Sequence, residues 1–193
     1  MINGIAILGL NGGGKSTLAH ALAKKCGYLE LDVEDCYFPE QSESRICALE
    51  NNVIETEHLG LLPFSNPRSK SEVEDIIKDS IKDNTKFILS GVTMNWDEEI
   101  LSRIDIAFLI QTPVEVRLNR IQAREEKRFG SRVLIGGDMF SQQMDFRKIV
   151  ENRDSKLVEE SMMNFDCPVI VIDGMSSVEH NLEVIMGSLN KYI

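Results

Sequence analysis

The stretch that decides the fold lies near the start of the chain and reads Gly9-Leu10-Asn11-Gly12-Gly13-Gly14-Lys15-Ser16. It matches the pattern G-x-x-x-x-G-K-[ST] at every fixed position. An apolar run over residues 2–8 precedes it, and a segment with helical periodicity follows it as far as Cys26. This pattern is most specific when it lies between a buried strand and a helix, as it does here. We therefore predict a strand, a glycine-rich loop and a helix in that order.

The residue types in this stretch are those that a phosphate-binding loop (P-loop) requires. Its glycines permit backbone angles that a side chain would forbid and let the chain come close to phosphate. The loop N–H groups form an anion nest, to which the N-terminus of the next helix adds roughly half a positive charge. Lys15 is expected to reach the β- and γ-phosphates of ATP, and the Ser16 hydroxyl to ligate Mg²⁺. The residues predicted to hold the nucleotide in this stretch are Gly9, Asn11, Gly12, Gly13, Gly14, Lys15, Ser16 and Thr17.

The rest of the chain alternates between short apolar runs and segments with helical periodicity. The runs contain few polar residues, which is typical of strands buried on both faces of a parallel sheet. Ser69 and Ser176 each precede a glutamate by three positions, which predicts helix starts, and Gly27 and Gly130 stand where helices would end. This alternation predicts a three-layer α/β fold in a single domain over residues 1–193. The predicted strands cover residues 2–8, 28–31, 87–89, 104–110 and 168–172.

Composition limits the partners that the chain is expected to have. Its 193 residues carry 31 acidic and 21 basic side chains, for a net charge of −10. A charge of that sign repels nucleic acids and anionic membranes, so we expect neither as a partner. No apolar run approaches the ~20 residues that span a bilayer, and the start of the chain lacks a basic region, which favours a cytoplasmic protein. The four cysteines form no CxxC pair and the three histidines are scattered, so we predict no zinc site.

Three acidic residues follow the second predicted strand, in the stretch Leu31-Asp32-Val33-Glu34-Asp35-Cys36-Tyr37-Phe38. Ligands of an open parallel sheet bind beyond the C-terminal ends of the strands, so we expect these carboxylates near the phosphates. We favour Asp32 for the metal side, through a Mg²⁺-bound water. We favour Asp35 as the catalytic group that accepts the proton of an attacking hydroxyl, with Asp32 and Glu34 as the alternatives. The pattern also allows a solvated acidic loop without a catalytic role.

A row of arginines lies in the predicted helix Val114–Phe129. Its members share one helical face because they are spaced three, four and four residues apart, at Arg117, Arg120, Arg124 and Arg128. Such a row can neutralise the charge on a phosphoryl group during its transfer. We predict that Arg120 and Arg124 are catalytic. For Arg117 and Arg128, a solvated face paired with neighbouring glutamates is an equal alternative.

The P-loop, the acidic tip and the stretch Arg120-Ile121-Gln122-Ala123-Arg124 together resemble the nucleoside monophosphate kinase and shikimate kinase group of P-loop kinases. The last stretch is similar to the R-I-x-x-R of adenylate kinases at the start of their lid. The resemblance implies a five-stranded parallel sheet in the order 2-3-1-4-5, helices on both faces, and a helical lid over about residues 117–151. It also implies that Arg120 lies against the adenine base, that Arg124 contacts the phosphates, and that the backbone of Asp173 and Gly174 holds the adenine edge.

The resemblance is weaker on the acceptor side. After the third strand, adenylate kinases carry D-G-[FY]-P-R, whereas this chain has Leu89-Ser90-Gly91-Val92-Thr93-Met94-Asn95. The acid is replaced by Ser90, the arginine is absent, and the G-G-G stretch of shikimate kinases is missing, so neither AMP nor shikimate is expected as the acceptor. In contrast, the four residues from Asp35 to Phe38 resemble the D-x-[FY]-Y of uridine kinases, in which the Asp faces the acceptor hydroxyl.

We therefore expect a kinase that transfers the γ-phosphoryl group of ATP to a nucleoside, a nucleotide or another small hydroxyl or phosphate acceptor. The acceptor is expected to bind a segment of about residues 34–68, in which Arg68 is a candidate for holding an anion. The rival is a nucleotide-dependent switch or ATPase acting on a protein partner, although Ser90-Gly91 lacks the acid of the D-x-x-G that switches carry. A kinase of nucleic-acid ends is disfavoured by the net charge. The sequence identifies neither the acceptor nor whether the protein is a monomer or a homodimer.

Overall fold

Five parallel strands form the central sheet, in the order β2-β3-β1-β4-β5. The computed structural model describes residues 2–50, 64 and 66–191. This strand order and the parallel pairing confirm the predicted sheet. In chain order the strands β1 to β5 are Gly4–Leu8, Leu29–Asp32, Phe87–Gly91, Ile106–Gln111 and Val169–Asp173.

Strand β1 lies at the centre of the sheet, where Ile5 pairs with Ile88 on one side and Ile106 on the other. Every residue of β1 and β3 is buried, as their continuous apolar runs predict. The edge strand β5 differs, because Val171 is 56% exposed although the run 168–172 predicted burial on both faces. At this edge of the sheet, no described helix covers the face of β5 on which Val171 lies.

Helices cover both faces of the sheet, which confirms the three-layer α/β arrangement. On one face, α1 and α9 pack through side chains that include Leu22 and Ile185. On the other face, α4 and α8 pack through side chains that include Ile77 and Val158. No helix in the described part of the chain is long and apolar enough to span a membrane. The helices α1 to α9 are Lys15–Cys26, Val33–Tyr37, Ser42–Leu49, Lys70–Asp83, Glu98–Leu101, Val114–Phe129, Phe140–Asn152, Lys156–Met162 and Val178–Leu189.

The predicted helix ends are mostly confirmed. Gly27 ends α1 with a φ of +68°, and Ser69 forms a capping box with Glu72 at the start of α4. The prediction that Ser176 begins the last helix is wrong by one residue, since Ser177 is the N-cap of α9. Ser176 instead belongs to the turn after β5, where its N–H donates to the carbonyl of Asp173 at 3.2 Å.

The two segments predicted to cover substrates are largely helical where they are described. The first, residues 34–68, contains most of α2 and all of α3, while its residues 51–63 and 65 lie outside the described part. The second, residues 117–151, contains most of α6, the 3-10 turn Gly130–Val133 and most of α7. Their roles as acceptor-binding segment and lid stay predictions.

Candidate nucleotide-binding site

The loop between β1 and α1 has the backbone geometry of an anion cradle. Gly12 and Gly14 have φ angles of +78° and +105°, in the left-handed region that favours glycine. A Cβ on Gly12 would lie 2.5 Å from the carbonyl oxygen of Arg117, so the backbone of α6 packs directly against the loop. Gly14 is the N-cap of α1 and makes no side-chain cap, which leaves the first-turn N–H groups of this helix for a ligand.

Lys15, the first residue of α1, turns back over the loop and donates from Nζ to the carbonyl oxygen of Leu10 at 3.3 Å. Burial lowers the pKa of this ammonium group from 10.5 to about 8. Two carboxylates oppose the shift and two guanidinium groups add to it; they belong to Asp32 and Glu34 and to Arg124 and Arg153, respectively. A bound phosphate would supply the counter-charge that lets Lys15 stay fully protonated.

The two ends of the arginine row are buried in the protein. Arg117 is 4% exposed and donates to the carbonyl oxygens of Thr112 at 3.2 Å and Asn11 at 3.4 Å. Arg128 is 2% exposed and donates from Nη2 to Ser44 Oγ at 2.8 Å. The alternative of a solvated face is therefore wrong for these two residues, which fasten α6 to the P-loop and to α3.

The middle of the row faces the site. Arg120 donates from Nη1 to the carbonyl oxygen of Gly13 at 3.4 Å and from Nη2 to that of Gly174 at 2.9 Å. It therefore bridges the P-loop and the loop after β5. The Arg124 side chain is 35% exposed, and both its Nε and Nη2 lie 2.6 Å from Glu125 Oε1.

A cavity of about 230 Å³ lies between the P-loop, α6 and the start of α9. Pockets for complete small ligands measure roughly 300–1,000 Å³, so this volume suits a nucleobase rather than a whole nucleotide. Five residues predicted to bind the nucleotide line it, namely Gly13, Gly14, Thr17, Arg120 and Gly174. The remaining lining residues were not predicted to bind the nucleotide; they are Leu18, Ile110, Ser176, Val178 and Asn181.

Asp173 and Gly174 differ in their relation to this cavity. The Asp173 carboxylate accepts from the Met175 N–H at 2.8 Å, and its carbonyl oxygen accepts from Asn181 Nδ2 at 2.9 Å. Gly174 lines the cavity and has no room for a side chain, since a Cβ would lie 1.8 Å from Thr112 Oγ1. Asp173 thus shapes the loop, whereas Gly174 forms part of the cavity wall.

Asp32, predicted for the metal side, is 5% exposed at the end of β2. Its Oδ1 accepts from the Glu34 N–H at 2.9 Å, and its Oδ2 accepts from Ser90 Oγ at 3.0 Å. Mg²⁺ prefers hydroxyl, carboxylate, water and phosphate oxygens, so Ser16 and Asp32 suit a Mg²⁺ ion that arrives with a nucleotide. In the described part of the chain, no group of three or more His, Cys, Asp or Glu side chains is placed to hold a metal by itself.

Asp35, predicted for the acceptor side, forms an ion pair that the sequence did not indicate. Arg45 on α3 is 8% exposed, and its Nε and Nη2 lie 2.8 Å and 2.6 Å from Asp35 Oδ2. Its Nη1 also donates to Glu30 Oε1 at 2.8 Å. Burial raises the pKa of Asp35, and Arg45 opposes that shift.

The Glu34 side chain makes no hydrogen bond to any described residue, and its charge acts on Lys15. The role of Asp35 stays a prediction, with Glu34 as the alternative.

Two residues of the predicted acceptor-binding segment, Arg68 and Phe64, lie close to α2. Arg68 donates from Nη1 to the carbonyl oxygen of Cys36 at 3.1 Å, and its N–H donates to that of Tyr37 at 3.0 Å. Nearby, the ring of Phe64 meets those of Phe38 and Phe129 edge to face, with centroids 5.3 Å and 6.5 Å apart. This side of the site therefore combines aromatic rings with charged groups.

Arg153 is a site residue that sequence reasoning missed. It lies between α7 and α8 and donates from Nη1 to Asn11 Oδ1 in the P-loop at 2.7 Å. Its charge also reaches Lys15. It belongs to no motif and follows the predicted lid segment, so no sequence signal marked it.

No family model matches the chain. It is 27% identical to the Bacillus subtilis (strain 168) uncharacterized protein YqaC over 198 residues, covering 98% of this chain and 99% of the relative.

Similar solved structures include three kinases of low sequence identity. A deoxyadenosine kinase from M. mycoides with bound dATP has a TM-score of 0.54 at 20% identity, covering 98% of this chain and 100% of that chain. A sugar kinase from Janibacter sp. HTCC2649 has a TM-score of 0.53 at 16% identity, covering 98% of this chain and 95% of that chain. A gluconokinase from Sinorhizobium meliloti 1021 has a TM-score of 0.50 at 11% identity, covering 98% of this chain and 93% of that chain. The chain therefore has the fold of the P-loop kinases of the nucleoside monophosphate kinase and shikimate kinase group.

Proposed function

We propose that this protein is a cytoplasmic, ATP-dependent kinase of a small molecule. It transfers the γ-phosphoryl group of ATP to a nucleoside, a nucleotide or another small hydroxyl or phosphate acceptor. The observation that carries the proposal is the charge pattern around the P-loop, with cations from three regions of the chain on the donor side and carboxylates after β2 on the acceptor side. The cations are Lys15, Arg120, Arg124 and Arg153, and the carboxylates are Asp32, Glu34 and Asp35.

Catalysis in this proposal rests on positioning and charge neutralisation. In phosphoryl transfer, negative charge spreads over the oxygens of the γ-phosphoryl group and of the leaving group. Lys15 and Arg124 neutralise that charge, while Arg120 lies against the base and holds the nucleotide in place. The Ser16 hydroxyl and, through water, the Asp32 carboxylate would hold Mg²⁺, which would supply positive charge to neutralise the phosphate oxygens.

On the acceptor side, we assign Asp35 to receive the proton of the attacking hydroxyl. Arg45 supports this assignment, because its two short contacts fix the carboxylate and favour its ionised form. Glu34 is the alternative, as its carboxylate has no hydrogen bond to a described residue and acts on Lys15. Asp35→Asn and Glu34→Gln separate the two, because only the loss of the base lowers kcat by the 10²- to 10⁴-fold typical of general-base removal.

The test of the proposed activity is an acceptor screen that measures ADP formation. Purified protein with Mg²⁺ and ATP is incubated with nucleosides, nucleotides and sugar metabolites in turn. We expect turnover that depends strongly on one acceptor and is lost in Lys15→Ala. The matched control is Lys25→Ala, which removes an exposed lysine from the same helix.

Two outcomes of the screen would contradict the proposal. One is that no acceptor raises ADP formation above the rate of the protein alone. The other is that the nucleotide is hydrolysed at a rate set by a stoichiometric protein partner, which would instead support a switch or ATPase.

A further inference from the structure

The cavity beside the P-loop is lined by the amide side chain of Asn181, whose chemistry suits the recognition of a nucleobase. Asn181 in the first turns of α9 is 6% exposed and lines the cavity. Its Nδ2 donates to the carbonyl oxygen of Asp173 at 2.9 Å. Because a carbonyl oxygen can only accept, this bond fixes which end of the amide is nitrogen and which is oxygen.

The second polar atom of the amide, Oδ1, can only accept a hydrogen bond. It makes no hydrogen bond to any described residue, and it is not among the side-chain atoms sealed in the interior without a partner. Asn181 lines the cavity, so this oxygen belongs to a side chain that a ligand there would contact. A ligand that fills this cavity must give Oδ1 a donor, since an unpaired acceptor that loses its water on binding is costly.

The main-chain acceptors nearby each already accept at least one hydrogen bond. The carbonyl oxygen of Gly174 accepts from Arg120, and that of Gly13 accepts from both Arg120 and Thr112. The carbonyl oxygen of Asp173 accepts from Asn181 itself. Among the acceptors named here, Asn181 Oδ1 is the one that makes no hydrogen bond to a described residue.

We propose that Asn181 Oδ1 accepts a hydrogen bond from the exocyclic amine of a 6-aminopurine, so that Asn181 is a specificity-determining residue of the nucleotide donor. This inference rests on the proposed function, because it takes the cavity as the base pocket of the donor nucleotide. An amide that is pinned on its nitrogen side cannot rotate to offer N–H to a 6-oxo group. The pocket therefore prefers an amino group at the position that Asn181 faces.

The experiment is a double-mutant cycle on ligand and protein. Binding of ADP, and of the purine riboside diphosphate that carries hydrogen in place of the 6-amino group, is measured by calorimetry for wild type and Asn181→Leu. We expect wild type to bind ADP about three- to tenfold more tightly than the analogue, as one net hydrogen bond predicts, and Asn181→Leu to bind both equally. Asn84→Ala is the matched control, since its amide also donates to a backbone carbonyl, at 3.0 Å, but at the far end of α4.

The outcomes separate this inference from the proposed function. If Asn181 only shapes the loop through Asp173, the variant weakens both ligands by the same factor, which overturns the inference while nucleotide binding stands. Equal affinity of wild type for ADP and for the analogue overturns it as well. If wild type binds neither ligand, the proposed function itself fails.

Discussion

At the scale of one residue, Lys15 is the group whose protonation we expect nucleotide binding to change. Burial lowers its pKa to about 8, so in the free protein Lys15 loses its proton at a lower pH than an ordinary lysine. A triphosphate raises that pKa again, because it places negative charge beside Nζ. Binding should therefore take up a fraction of a proton at pH 8.5 and much less at pH 7. Calorimetry of ADP binding in two buffers of different ionisation enthalpy measures this uptake.

The control for this prediction is Lys15→Arg, which keeps a positive charge and does not titrate in this range. Its binding enthalpy should be independent of the buffer. The nucleotide phosphates do not contribute to the proton uptake measured at pH 8.5, because their last pKa lies near 6. A wild-type enthalpy that is equal in both buffers at pH 8.5 would mean that Lys15 is already protonated, contrary to this prediction.

The residues of the site divide by whether a local pattern marks them. The P-loop was predictable because strand, glycines, lysine and helix are neighbours in sequence, so one stretch contains the whole geometry. Arg45, Arg153 and Asn181 were not predictable, since each acts through a partner brought close only by the fold. Arg153, for example, contacts Asn11 across 142 positions of sequence.

At the scale of one element, α6 shows what helical periodicity does and does not determine. The spacing predicted correctly that the arginines share a face, because 3.6 residues per turn is a local property. Which member is buried depends instead on the neighbours of α6. Arg117 is 4% exposed against the P-loop, while Arg120, one turn later, is an exposed residue that spans the cavity wall.

This difference predicts that Arg117→Ala mainly lowers stability, whereas Arg120→Ala mainly weakens nucleotide binding. The first leaves the carbonyl oxygens of Thr112 and Asn11 without a donor, so we expect it to lower the free energy of unfolding by about 1–3 kcal/mol. The second should change stability by less than about 1 kcal/mol, because water can replace an exposed donor, but should weaken ADP binding. Urea unfolding and calorimetry of the two variants measure this. Equal loss of stability in both would show that the row acts as one structural unit.

At the scale of the whole molecule, the central sheet was a part of the fold that the sequence predicted. Buried parallel strands leave continuous apolar runs, so the run over residues 2–8 predicted the central strand and the order followed from the resemblance. The exposure of Val171 was not predictable, since whether a helix covers one face of an edge strand depends on residues that are distant in sequence. The acceptor side was equally hard to predict, because Arg68 and Phe64 reach α2 from a segment without a motif.

The same architecture predicts how a ligand acts on the stability of the entire domain. The nucleotide site joins the loop after β1, helix α6 and the loop after β5, so a ligand there binds only the assembled sheet. At about 100 times its Kd, ADP should stabilise the folded state by about 2.7 kcal/mol, which corresponds to a Tm increase of roughly 5–10 °C for a chain of this size. Lys15→Ala should lose most of that increase at the same ADP concentration, whereas Lys25→Ala should keep it. The unliganded Tm of Lys15→Ala should not fall, because the substitution removes a charge whose burial is unfavourable. A lower unliganded Tm would show instead that the bond from Lys15 to Leu10 stabilises the empty loop more than the burial of the charge destabilises it.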